Sequence, residues 1–129
     1  MIVNKLIKPT ESELEILQVL WNNESATVRT VHEELSKTKE SGYTTTLKLM
    51  QIMFEKGLVT RDDSNKTHIY QPAVTREKTQ KQFLNKMIDT LFSGSSANLV
   101  LQALGGHTAS EEELEKIQLL INDLKKNNI

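Results

Sequence analysis

No cysteine occurs in this sequence of 129 residues. Its absence excludes disulfides, thiolate metal sites and a thiol nucleophile, and it agrees with a reducing compartment. No apolar run approaches the ~20 residues a helix needs to cross a bilayer. The start, MIVNKLIKPTESE, has too short an apolar stretch for a secretory signal and no small-residue cleavage site, so the cytoplasm is the expected location. An excess of either charge is also missing: Lys and Arg number 16 against 17 Asp and Glu, a net charge of −1. Neither half is basic, residues 1–72 coming to −1 and residues 73–129 to 0. A protein that holds nucleic acid by bulk electrostatics is therefore excluded, and DNA binding here has to rest on local placement of a few cations. Such placement requires Lys37, Lys39, Lys48, Arg61 and Lys66 to share a face while Glu11, Glu13, Glu15, Glu33 and Glu34 point elsewhere.

Catalytic chemistry is equally thin. The histidines, His32, His68 and His107, fall on separate elements without paired metal-ligand spacing, and there is no Gly-rich phosphate loop. Glu111, Glu112, Glu113 and Glu115 read as dipole complements in the first turn of a helix rather than as cation ligands. No enzyme, cofactor or metal is expected.

What is present is organised around Ser41–Asp62, SGYTTTLKLMQIMFEKGLVTRD. Turn formers at Ser41 and Gly42 precede a helical run that Gly57 stops, and a strand follows. At 3.6 residues per turn Thr46, Leu49, Met50 and Met53 share one stripe. Thr44, Lys48, Gln51 and Glu55 centre the opposite one, with Thr45 and Ile52 beside it. Such a face is an ordinary solvated surface in most helices; it also offers the hydroxyls, amide and cation that meet base edges in the DNA major groove.

Upstream, Thr10 and Glu13 have capping-box spacing, and Leu14, Ile16, Leu17, Leu20 and Trp21 give a broad apolar stripe over about Glu11 to Asn22. Trp21 reads as core rather than as a base-stacking platform. Thr27 is the expected N-cap of a short helix, Val28 to Leu35, in which the lone His32 is read as partly buried rather than metal-bound. Downstream, Leu58–Asp62 and Thr67–Gln71 enclose the turn formers of Asp63–Lys66 and predict a hairpin, resting on the helices through Leu58, Ile69 and Tyr70. Three helices and a hairpin make a winged helix-turn-helix, with Arg61, Lys66 and His68 placed to reach phosphates.

After Pro72 the chain changes character. A helix over about Thr75 to Phe92 carries Phe83, Leu84, Met87, Ile88, Leu91 and Phe92 on one face; a piece from Leu99 to Leu104 ends at Gly105 and Gly106; a last helix, with Ser110 and Glu113 as its capping box, carries Leu114, Ile117, Leu120, Ile121 and Leu124. These stripes are too much for about 55 residues to bury alone, so a second copy of the chain is the expected partner, with folding back onto the N-terminal unit as the other solution. The fold expected is mainly α with a small β-hairpin: a winged-helix domain over 1–72 and a helical dimerisation region over 73–129.

The segments TESELEILQVLW (Thr10–Trp21), YTTTLKLM (Tyr43–Met50), EKGLV (Glu55–Val59) and IYQP (Ile69–Pro72) resemble the penicillinase repressor family, of the BlaI, MecI and CopY type. The resemblance implies a winged-helix repressor that dimerises through its C-terminal helices and binds palindromic double-stranded operator DNA, silencing genes for β-lactam resistance or metal homeostasis. It places groove contacts at Thr44, Thr45 and Lys48, with Thr44 standing where the family commonly has Lys. Copper-responsive members end in Cys-x-Cys pairs, which this chain lacks. β-Lactam-responsive members are inactivated by proteolysis, which implies a membrane-bound sensor protease as a partner. Their Asn-Phe cleavage site aligns with Gln102 and Ala103, where the dipeptide is not retained. The competing expectation, drawn from the missing positive charge, is a winged helix that holds a partner protein without reading DNA.

Overall fold

The computed structural model describes residues 8–128. Six helices and one hairpin follow in the order α1 (Glu11–Asn23), α2 (Val28–Leu35), α3 (Tyr43–Lys56), β1 (Val59–Asp62), β2 (Ile69–Pro72), α4 (Arg76–Leu91), α5 (Ser96–Gly106) and α6 (Glu111–Asn127). The described residues form two compact units, one ending at Leu84 and the other beginning at Asn85, so that α4 contributes to both.

Local chemistry sets the ends of the first three helices. The Thr10 hydroxyl accepts from the Glu13 N–H while the Glu13 carboxylate accepts from the Thr10 N–H, closing the expected capping box. Thr27 caps α2 by accepting from the Thr30 N–H at 3.2 Å. Gly57 ends α3 at φ 87°, a left-handed conformation that glycine adopts without a Cβ penalty, and the Leu58 N–H then closes back on the Met53 carbonyl.

Burial follows the apolar stripes. Ile16, Leu17 and Leu20 of α1, Val31 of α2 and Met50 and Met53 of α3 are fully buried, together with Leu58 and Tyr70 from the hairpin. Thr46 is buried with them, while Thr44, Thr45, Lys48, Gln51 and Glu55 are exposed, as the helical wheel requires. Trp21 is half-buried against this core, and its indole N–H donates to the Val74 carbonyl at 2.9 Å. His32 is half-buried as well.

The hairpin pairs Arg61 with Tyr70 and Asp62 with Ile69. Neighbouring strand residues point to opposite faces, so Tyr70 and Ile69 cannot both lean on the helices. Tyr70 is the inward one at 1% exposure; Ile69, expected at the same contact, faces solvent at 38%. A pairing that no sequence pattern announces adds support: Ala26, between α1 and α2, exchanges both backbone hydrogen bonds with Tyr70, at 2.8 and 3.0 Å.

In the second unit Ser93 and Gly94, both at positive φ, turn the chain after α4, and Ser95 caps α5. That helix starts earlier and ends later than its apolar residues suggested: Gly105 and Gly106 lie inside it, and His107 is the C-cap. Ser110 and Glu113 close the second capping box before α6. Neither α5 nor α6 has a buried residue.

One polar group belongs to the first core. Glu13, 2% exposed, receives both the Thr10 N–H and the Lys56 ammonium at 2.9 Å, tying the start of α1 to the end of α3. Burial pushes its carboxyl up, but the Thr10 N–H and Lys56 together outweigh that and leave it below the ordinary glutamate value of 4.5. Stability from this group is therefore present in full above the unfolded value and is lost as pH falls through the folded one. Glu13→Gln should destabilise by about 1–3 kcal/mol at neutral pH, below the range for a fully buried pair because solvent screens Lys56. Thermal melts of the two proteins should converge as the medium is acidified; a gap that persists in acid would assign the loss to packing instead.

Candidate nucleic-acid interface

The exposed face of α3 and the hairpin stand on either side of a groove. Tyr43, Leu47 and Gln51, at successive i, i+4 positions, form its α3 wall. Lys66 and His68 come from the hairpin loop, and Arg29 from the first turn of α2. The groove encloses about 380 Å³. Thr44, Thr45 and Lys48 are exposed on α3 outside this wall. Of the residues singled out from sequence, Gln51, Lys66 and His68 thus meet in one depression, and Thr44, Thr45 and Lys48 lie on the helix that bounds it.

Arg61 is placed differently. Its guanidinium lies 4.1 Å from the centroid of the Phe54 ring and 3.5 Å from the Asp63 carboxylate, and its Nε is buried without a hydrogen-bond partner. It serves to cover the end of α3, whose Phe54 it shields. Lys37 and Lys39 are likewise engaged, with Glu34 and Glu15 respectively, each at 2.9 Å. Glu15 and Glu34 therefore do not point away from the cations, as the sequence reading required, but neutralise two of them. Such exposed pairs add little stability. Their effect is on the local field, which they cancel near the start of α3.

Among the described residues no carboxylate lies within ion-pair distance of Arg29, Lys48 or Lys66. Sequence reasoning missed Arg29 and Tyr43. Tyr43 could have been found from its spacing to Leu47 and Gln51 along one helical row. Arg29 carried no signal, since its place beside α3 depends on how α2 packs. Among the described residues no cluster of His, Asp and Glu could hold a metal ion, and no helix is long and apolar enough to cross a membrane.

Gln102 and Ala103 are both exposed, within α5. Of the residues read as a dimerisation surface, Leu84, Met87, Leu91, Leu114, Leu120, Ile121 and Leu124 are exposed. Ile88 and Ile117 are partly buried, and Phe83 sits under the Lys8 ammonium, 5.4 Å from its ring centroid.

Comparison with known proteins gives a consistent picture. The profile of the family described as "Penicillinase repressor" matches residues 9–123. The penicillinase repressor of Staphylococcus aureus is 25% identical over 127 residues, covering 95% of this chain and 98% of that protein. The methicillin resistance regulatory protein MecI of Staphylococcus aureus (strain N315) is 26% identical over 123 residues, covering 92% and 97%. The solution structure of the DNA-binding domain of the repressor BlaI superposes with a TM-score of 0.51 at 24% identity, covering 57% of this chain and 90% of that one, a likeness of fold.

The placement of Arg61 has a measurable consequence. Arg61→Ala should lower the unfolding midpoint by uncovering Phe54, and Arg61→Lys should recover only part of the loss, because an ammonium stacks less well than a planar guanidinium. An unchanged midpoint in Arg61→Ala would show that the stack contributes nothing.

Proposed function

The chain belongs to the penicillinase repressor family, and on that premise we propose that it is a dimeric DNA-binding transcriptional repressor, with one α3 from each copy set into the major groove of a palindromic operator. The observation that carries this reading is the division of α3. Thr46, Met50 and Met53 are locked in the core, while Thr44, Thr45, Lys48 and Gln51 are exposed to solvent. Rigid seating of one face holds the other at a defined register, which base readout requires. Hydroxyls and an amide can pair with base edges, and Lys48 can reach either a base edge or a phosphate. Lys66 and His68 would then follow the backbone from the wing. Thr44 stands where the family commonly has Lys, so the preferred operator differs in the bases that this position meets.

The dimer is supported by the rear unit's own composition of surface. Leu120 and Leu124 are 58% and 59% exposed, and α6 presents them with Leu114 and Ile121 as one continuous stripe. An apolar stripe of that length is covered in a stable protein, and a second copy covers it with its own. Joining the two copies turns the second half-site contact into an intramolecular event. Proteolysis between Gln102 and Ala103, as by a membrane-bound sensor protease, is the release step we assign. The two residues lie exposed in a helix without a buried residue, which opens locally at little cost.

Genomic fragments retained by the purified protein identify the operator. On such a fragment Lys48→Ala should weaken binding about tenfold or more. Retention of no fragment at low salt, where phosphate attraction is greatest, would sink the reading. Leu120→Asp should sediment as a monomer and lose up to roughly 10²- to 10⁴-fold in operator affinity. A dimer that survives this change would remove α6 from the interface.

A further inference from the structure

We propose that Arg29, presented by the ring of Tyr43, grips the phosphate backbone of the duplex from α2; the inference rests on the DNA-binding reading above and extends it to an element outside α3 and the wing. Three of the cations that the sequence offered for DNA are engaged by Glu34, Glu15 and Asp63. Arg29 is not. It is exposed at the start of α2 and lines the groove beside α3 together with Lys66, the two being its cations, and with His68.

Its guanidinium has one aromatic neighbour that can orient it. The charge lies 5.9 Å from the Tyr43 ring centroid. Tyr43 in turn meets the His32 ring edge-on, with centroids 5.6 Å apart and planes at 80°. The His32 Nδ1 lies 3.3 Å from the hydroxyl of Thr46, which is buried in the core. A chain of contacts thus runs from the core to the cation. Fixing an arginine in advance reduces the rotamer entropy lost on binding, and its planar fork then matches two phosphate oxygens.

The position selects phosphate over base. Base edges are met from α3, Gln51 among its residues, whereas Arg29 reaches the same depression from the preceding helix. A sugar–phosphate strand running past α3 has its negative charge there. Tyr43 is accordingly a positioning residue, and the groove-side pair gives the protein sequence-independent attraction that its net charge does not.

The test measures affinity against salt for the full-length protein on two duplexes of equal length, a genomic fragment it retains and a mixed-sequence duplex. Arg29→Ala should weaken both by the same factor and reduce the slope of log K against log salt by about 0.9 per protomer. Arg29→Lys should keep most of the slope. Tyr43→Phe, which retains the ring, should behave as wild type, and Tyr43→Ala should weaken both duplexes alike. An unchanged slope in Arg29→Ala overturns the inference, as does a loss confined to the retained fragment, which would make Arg29 a base reader. Either result leaves the DNA-binding reading standing; if wild type binds neither duplex at about 50 mM salt, that reading itself has failed.

Discussion

Two four-residue strands do not hold together alone in water, so the groove beside α3 depends on whatever fastens the hairpin to the helices. That fastening is Tyr70. Its side chain is 1% exposed, its backbone exchanges two hydrogen bonds with Ala26, and across the hairpin it faces Arg61, which covers Phe54 at the end of α3. The wing is therefore attached at both α1–α2 and α3. With it in place Lys66 and His68 line one groove with Arg29 and Tyr43; without it the two hairpin residues would not share a surface with the other two.

The parts of this arrangement that are local were legible in the sequence. Thr10 with Glu13, Thr27, Gly57 and Ser110 with Glu113 each act within a few residues, so spacing alone identified the helix ends. The two faces of α3 were legible for the same reason, because periodicity separates buried from exposed before any partner is known. What periodicity does not carry is the identity of a distant partner. Ala26 sits in a loop with no strand pattern, and its partner Tyr70 lies 44 positions further along the chain. Lys39, in the connection between α2 and α3, meets Glu15 of α1, and Arg61 lies on Phe54 only because the hairpin folds back. Gly105 and Gly106 illustrate a different limit: glycine lowers helix stability without forbidding a helix, and neither residue stands at positive φ.

The two units contrast in how they satisfy their apolar residues. From Ile16 to Tyr70 the stripes of three helices and the hairpin converge on one core. In α5 and α6 none is buried, although α6 has as regular a stripe as any helix in the chain. Helix propensity and good caps account for the secondary structure of α6, since its first turn carries Glu111, Glu112 and Glu113 and its last Lys125 and Lys126, both favourable to the dipole. They do not account for the stripe. We take leucines at successive turns that the chain leaves exposed as a surface for a partner, and self-association of that stripe is the proposal that needs no further component.

Charge then links the two units functionally. A chain of net charge −1, with Lys37, Lys39, Lys56 and Arg61 all engaged by carboxylates, has few cations left in its winged unit for phosphates. Because the electrostatic part of affinity scales with the number of phosphates neutralised, a single copy would bind weakly at physiological salt under the proposed reading. Two joined copies double that number and gain the effective concentration of a tethered second site. Occupancy of an operator would then be controlled from the rear helices without any change in α3. In the proposed dimer a cut within α5 leaves each winged unit folded, since its core is complete by Tyr70, yet removes the bivalency on which its hold depends. A strongly basic winged unit would not release on such a cut, so under the proposed mechanism the poverty of positive charge is what would make control through the dimer helices effective.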